Sequence, residues 1–423
     1  MRALITQAIS DHASQQGDKP ALIIGDQVMS YADLVQTLLH LATAVVDNAG
    51  DQPTFEPSGP VLDQALWGLA RLQAGHALIG TTSGTTGMAK RYRRSQQSWI
   101  ESFKADQIEF GLSCDDVIIA PGSLSHSLFS YALCQGLYRG ATVVLSESFR
   151  PDRVLAQISR HSGTVLYGVP TQLKMLLRQA QIQSEGPMVS VRWALSSGAR
   201  WFAEMAPQIQ QLFPAAKIGE FYGASELSFV TLALHGWDST LPVGSVGRPF
   251  HDVLIDAPAH GAIDKIWVHS AGLFENYLSE PPADFSERVD AQGRRWLSIG
   301  DLGWQDQNGY LFLVGRESRK IVTSGKNLYP EEVELLLMSH PAVQQAAIIG
   351  VPDALRGERL LALVQVQGPV NRSDLMAFLQ TQADDYKIPR EFRLLENWPY
   401  TASGKTDFVA IAQTPAQNLP LLN

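Results

Sequence analysis

Ala77-Leu78-Ile79-Gly80 runs directly into Thr81-Thr82-Ser83-Gly84-Thr85-Thr86-Gly87-Met88-Ala89-Lys90. The first four residues read as an apolar strand, and the next seven are all Thr, Ser or Gly. Glycines let main-chain N–H groups approach an anion, hydroxyls add donors, and Lys90 adds charge. A polyphosphate is the natural ligand of such a loop. A flexible linker is the competing reading, and it rests on composition alone. This is not a Walker loop, because no Gly-Lys-Ser/Thr closes it. Gly404-Lys405-Thr406 does not supply one, since the residue five places before Gly404 is Pro399.

Outward from the loop, short apolar runs at 77–80, 117–120, 141–145, 165–168, 192–196 and 217–222 alternate with helix-length segments near 95–108, 127–138, 151–161, 171–183 and 201–213. Such alternation predicts an α/β fold, a mostly parallel sheet covered by helices, with ligands beyond the carboxyl ends of its strands. Upstream, Ala21-Leu22-Ile23-Ile24, a Gly25-Asp26 turn and Val28-Met29-Ser30 read as a hairpin. Ser30 and Asp33 then resemble a helix cap, before Leu34, Leu38, Leu41 and Val45 at helical spacing. After about residue 240 the strands shorten. A compact α+β unit follows, with helices at 330–339 and 372–383 and strands near 344–351, 359–366 and 391–395. The expected division is a large N-terminal domain over 1–316, a hinge at 317–319 and a small mobile domain over 320–423.

The chain has 423 residues, more than one hydrophobic core usually supports. It is 45% hydrophobic and 18% charged, which argues against disorder. No apolar run is long enough to cross a bilayer, and polar residues from Thr6 onward come too early for a signal peptide, so a cytoplasmic location is expected. Cys114 and Cys134 form neither a disulfide framework nor a CxxC pair. A net charge of −9 without a long basic stripe speaks against nucleic-acid binding. The local run Lys90-Arg91-Tyr92-Arg93-Arg94 reads as a solvated face. The histidines show no ligand spacing, and Gly223-Ala224-Ser225-Glu226-Leu227 lacks the second Gly of a nucleophile elbow.

Six motifs in order carry a resemblance to the adenylate-forming (AMP-binding) superfamily, which includes acyl- and aryl-CoA synthetases. They are the 81–90 loop, Tyr222-Gly223-Ala224-Ser225-Glu226, Ser298-Ile299-Gly300-Asp301-Leu302-Gly303, Gly315-Arg316, the segment from Ser324 to Glu334, and Pro399 to Lys405. The resemblance implies ATP, Mg²⁺ and CoA as cofactors and a small-molecule carboxylic acid as substrate. It implies that Thr82, Ser83, Gly84, Thr85, Thr86, Gly87 and Lys90 hold the β- and γ-phosphates and that Glu226 ligates the metal. Ser197, Gly198, Ala199 and Tyr222 would flank the adenine, with Phe221, Gly223, Ala224 and Ser225 beside them. Asp301 would accept the ribose hydroxyls, and Arg316 would donate to the ribose or phosphates. Lys405 would bridge the carboxylate and the α-phosphate. His126, Tyr167, Pro170, Thr171, Gly219 and Phe221 would border the acyl pocket. Ser324, Gly325, Lys326, Tyr386 and Arg390 would lie on the CoA side, and Ser318 would be the swivel. The bland alternatives are a satisfied histidine for His126, a turn-stabilising carboxylate for Asp301, a local ion pair for Arg316 and a solvated lysine for Lys405.

The chain departs from the family where its phosphate loop begins early, at Thr81, so much of the distal N-terminal subdomain is expected to be missing. A smaller sheet would leave an edge that a partner chain could cover, as in a homo-oligomer. Ala89 stands for the usual Pro and Arg91 for the usual Gly. The function implied is an ATP-dependent acid–CoA ligase acting through an acyl-AMP. Two alternatives stay open: loading of a separate carrier protein's phosphopantetheine, and a nucleotide-binding homologue without catalysis.

Overall fold

A computed structural model describes residues 4–45, 52–56, 58–82, 90–199, 201, 205–401 and 406–422. The first strands are β1 (Pro20–Ile24), β2 (Gln27–Ser30), β3 (Leu78–Thr82) and β4 (Lys90–Arg94). They are followed by β5 (Val117–Ala120), β6 (Thr142–Leu145), β7 (Val165–Gly168), β8 (Trp193–Ser196), β9 (Lys217–Ala224), β10 (Ser228–His235) and β11 (Arg248–Pro249). Nine of these form one sheet in the order β11-β10-β9-β8-β7-β5-β6-β1-β2. The pairings from β1 through β6, β5, β7 and β8 to β9 are all parallel. β2 at one end and β10 with β11 at the other add antiparallel pairings.

The parallel strands read as unbroken apolar runs because both faces are covered. Their residues alternate between two cores, as the two-residue period of a strand requires. Leu22, Ile118, Val143, Val165 and Leu195 enter the core under α1 (Ile5–Gln16), α2 (Tyr31–Val45), α3 (Val61–Gln73), α4 (Gln96–Phe110) and α5 (Ser127–Arg139). Ile23, Ile119, Val144, Leu166 and Ala194 enter the core under α6 (Pro151–His161), α7 (Pro170–Gln183) and α8 (Met205–Leu212). The β1–β2 hairpin and the cap expected before α2 are present, with Ser30 Oγ and Asp33 Oδ2 2.7 Å apart. α1 and α3 are additions to the sequence reading.

Two expectations are corrected. The 77–80 run is not part of the parallel sheet. It belongs to β3, which pairs antiparallel with β4 and forms a separate three-stranded sheet with Asn276–Tyr277. The 90–94 run is a solvated face only in part, because it forms β4. The strand period exposes Arg91 and Arg93 but buries Tyr92 and Arg94.

Beyond Leu311–Arg316, the turn Glu317–Arg319 is a single 3-10 turn with Ser318 exposed. A hairpin of Ile321–Thr323 and Lys326–Leu328 follows. Ser324 and Gly325 take φ of 50° and 73°, the left-handed pair that a tight hairpin turn requires. Val343–Asp353, Gly357–Val366 and Glu391–Leu394 share a sheet that packs with helices Pro330–Met338 and Arg372–Gln380 around a core of its own. Arg319 pairs there with Glu331 (2.9 Å) and Glu334 (2.5 Å), and its guanidinium carbon lies 3.6 Å from the ring centre of Phe408. Among the described residues, no helix is long and apolar enough to cross a membrane.

Candidate active site

The carboxyl ends of β5, β7, β8 and β9 open onto one cavity of about 250 Å³. After β8, Ser197 and Gly198 turn across its mouth, with Gly198 at a φ of 90°. β9 ends in Phe221-Tyr222-Gly223-Ala224 and folds back into β10. A side chain at Gly223 would meet the Ser228 carbonyl at 2.2 Å, so only glycine permits that approach. His126 caps α5 and faces the cavity, as do Thr81 and Thr82 at the end of β3.

The polar side is anchored by Asp301. Its Oδ1 accepts from Arg316 Nε at 2.8 Å and its Oδ2 from the Tyr222 hydroxyl at 2.7 Å. The carboxylate beside Arg316 holds that guanidinium firmly charged, while burial and Asp301 push the Tyr222 hydroxyl well above its ordinary range. This fixed carboxylate–guanidinium pair offers acceptors and donors to a sugar or phosphate.

Glu226 follows β9 and is buried at 7% exposure. Burial raises its carboxyl above the ordinary range, and the Tyr277 hydroxyl donates to Oε1 at 2.6 Å. A hard cation arriving in the cavity would reverse that penalty. Among the described residues there is no cluster of three or more His, Cys, Asp or Glu that could hold a metal. The fit is therefore to an ion that takes one carboxylate and completes its shell with phosphate and water oxygens, as Mg²⁺ does.

Arg94 is the residue that motif reading missed. It is 1% exposed and lies in the cavity wall. Nε donates to Ser98 Oγ (3.0 Å), Nη1 to the Ser225 carbonyl (3.0 Å) and Nη2 to the Gly272 carbonyl (2.5 Å). Burial lowers its pKa to about 10, and the neighbouring Glu226 opposes that fall. The arginine thus ties β4 and α4 to the two segments that flank Glu226. Its signal was the alternation of β4, with Arg94 in phase with the aromatic Tyr92.

The remaining wall is apolar and aromatic: Trp99, Phe129, Tyr131, Phe221 and Phe229, with Leu128 and Val169. Four expected acyl-pocket residues, Tyr167, Pro170, Thr171 and Gly219, do not line it, Pro170 and Thr171 being taken up in the first turn of α7. Tyr167 is fully buried, with its hydroxyl on Gln135 Oε1 at 2.6 Å, because the phase of β7 sends it beneath α5. Gly219 lies between Leu195 and Leu232, five residues before the strand end at Ala224. Ala199 is exposed beside the mouth. Lys90 points away, with Nζ on the Glu280 carbonyl at 2.9 Å. Lys326 and Tyr386 do meet, at 4.4 Å from ammonium to ring centre, and Arg390 pairs with Asp385 at 2.9 Å, but neither contact borders the cavity. Ser83, Gly84, Thr85, Thr86, Gly87 and Lys405 lie outside the described residues.

Family models for an AMP-binding enzyme and for its C-terminal domain match residues 70–278 and 332–405. The uncharacterized acyl–CoA ligase YhfT of Bacillus subtilis is 35% identical over 89% of this chain and 77% of its own length. The 2-succinylbenzoate–CoA ligase of the same organism is 29% identical over 78% of this chain and 67% of its own. Among solved structures, o-succinylbenzoate CoA synthetase from B. subtilis with its acyl-adenylate superposes with a TM-score of 0.81 at 22% identity, covering 97% of this chain and 98% of that one. ATP-bound MatB from Rhodopseudomonas palustris gives 0.80 at 21% identity, covering 98% and 99%.

Proposed function

The chain belongs to the family of AMP-binding enzymes, and on that premise we propose that it is an acid–CoA ligase working in two steps. The observation that carries this reading is one cavity that joins the Asp301–Arg316–Tyr222 cluster, buried Glu226 and an aromatic wall. The substrate carboxylate attacks the α-phosphorus of ATP and pyrophosphate leaves. The CoA thiol then attacks the acyl carbonyl, forming the thioester and releasing AMP.

In this reading Asp301 accepts the ribose hydroxyls while Arg316 and Tyr222 fix its orientation. Ser197, Gly198 and Gly223 to Ser225 give a flat backbone surface to adenine. Thr82 and the 83–89 segment take the distal phosphates. Glu226 would hold Mg²⁺, which would neutralise phosphate charge when bound. Positioning and charge stabilisation supply most of the acceleration in phosphoryl chemistry of this kind. Lys405 serves the first step and leaves for the second by rotation of residues 320–423 about Ser318, bringing the Ser324–Lys326 turn to the thiol path.

A pyrophosphate-release screen over aliphatic, aryl and amino acids tests the first step. Parallel reactions with CoA and with a phosphopantetheinylated carrier protein identify the acceptor. Pyrophosphate release with one acid class and thioester formation on free CoA are expected. Release with no acid, or transfer to the carrier alone, would overturn the reading.

A further inference from the structure

The apolar side of the cavity stops at the indole of Trp99. That residue lies on the first turn of α4, held where Ser95 caps the helix by accepting from Ser98 N at 3.2 Å. The indole is 3% exposed. It meets the Tyr131 ring edge-on at 5.6 Å and 81°, leans on Phe103 at 6.4 Å, and has the Arg94 guanidinium 5.6 Å from its centre. Arg94 is in turn fixed to Ser98 on the same helix turn. The ring is therefore held on three sides, and swinging it aside would break packing that the aromatic cluster shares.

Behind Trp99 lies a second, much smaller void of about 10 Å³, between Phe55, Leu78, Tyr92 and Leu124. Trp99 stands in the wall of both spaces, and among the described residues it is the only side chain that does. The main cavity must already admit a nucleotide along its polar side. At about 250 Å³ it falls below the usual span for sites that enclose a drug-sized ligand. What remains beside Phe129, Tyr131 and Phe229 suits one ring or a few methylenes. The aromatic edges there favour a ring, which can pack against them in tilted geometry.

We propose that Trp99 is the partition that sets acid size, so that this chain activates a compact carboxylic acid, aryl or short-chain, and excludes long-chain fatty acids. The proposal rests on the ligase reading above. It places the size limit on α4, directly after the phosphate-loop hairpin, rather than on the strand residues Tyr167 and Gly219. Replacing the indole by a small side chain joins the two voids and opens a path along Phe55 and Leu78.

The test is pyrophosphate release by the full chain with a series of straight-chain acids from acetate to palmitate, together with benzoate and phenylacetate. Wild type is expected to use the short and aryl acids and to fall away by decanoate. Trp99→Ala and Trp99→Leu should shift the ratio of kcat/KM for decanoate over butanoate by about tenfold or more, since a few methylenes in an apolar pocket are worth that much. Trp99→Phe should shift it less, in the same direction. A loss of stability alone would lower all acids together and leave the ratio unmoved. The proposal is overturned if wild type prefers the long acids, or if folded, active Ala, Leu and Phe variants all keep the wild-type size profile. Release from no acid at all by wild type would overturn the ligase reading itself, and this proposal with it.

Discussion

Arg94→Met would remove a buried charge and three hydrogen bonds while nearly keeping side-chain length. Two opposing effects set the magnitude. The Ser225 and Gly272 carbonyls lose their donors inside the protein, at roughly 1–3 kcal/mol each. Against this, the guanidinium need no longer be buried, a cost visible in its pKa falling to about 10. These partly cancel, so the expected net destabilisation is only about 1–3 kcal/mol, read from urea melts. Activity should suffer more. The Ser225 carbonyl immediately precedes Glu226, and Phe274, two residues after Gly272, donates its N–H to the Glu226 carbonyl at 2.9 Å. Freeing both segments lets the carboxylate wander, and misplacement near 1 Å costs on the order of a hundredfold in rate. The assay is pyrophosphate release against Mg²⁺ concentration at saturating ATP and acid. A drop of that size in kcat with a raised half-saturating Mg²⁺ is expected, and Arg94→Lys should recover little because a point charge cannot span three acceptors. A folded Arg94→Met enzyme with wild-type rate and wild-type Mg²⁺ dependence would refute the reasoning.

Other outcomes follow from single contacts. Asp301→Asn should raise the KM for ATP with little change in the KM for the acid, whereas Tyr222→Phe should raise it only slightly because Arg316 still holds Oδ1; nucleotide and acid titrations separate the two. Burial pushes the Asp106 carboxyl up to about 8, so the native state keeps a proton that the unfolded chain releases near pH 4. The stability this supplies is full below about pH 4 and lost as pH rises through about 8. Asp106→Asn should therefore gain on wild type by up to roughly 1.4 kcal/mol per pH unit across that window, measured by denaturant melts at pH 6 and 8.5. Lys405→Ala should lose orders of magnitude in acyl-AMP formation yet still convert supplied acyl-AMP and CoA to thioester. A bulky residue at Gly325 should show the reverse, and equal damage to both half-reactions by Lys405→Ala in a folded variant would remove the case for domain alternation.

Regular periods made much of the fold legible. Continuous apolar runs marked strands covered on both faces, and the Ser30–Asp33 cap marked the start of α2. α1 escaped because its buried face is carried by little more than Ile5, Thr6 and Ile9 among polar neighbours. β3 was read as a strand but placed in the wrong sheet, since pairing with β4 depends on the chain turning back after the loop. Arg94 was hidden by its own chemistry. Arginine reads as solvent-facing unless its strand phase is known, and that phase appears only when Tyr92 is seen packed over Gly80. Motif resemblance pointed to Glu226, Asp301, Arg316 and His126, which the fold gathers in one cavity. It could not fix the facing of Tyr167, because four buried residues in a row give no inward side.

The Arg319 contacts bear on how torque would pass through the chain. Arg319 is the next residue after Ser318, yet it is bolted to Glu331 and Glu334 on one helix and sits over the ring of Phe408, three residues beyond Lys405 in sequence. Were Ser318 the pivot, slack between pivot and load would be removed at the first residue past it. Any rotation at Ser318 would then turn the smaller unit as a stiff lever, and a few degrees of dihedral change would become a large sweep at its far end. Cutting the bolt, as in Arg319→Ala, should leave each half-reaction's chemistry intact while slowing the exchange between them.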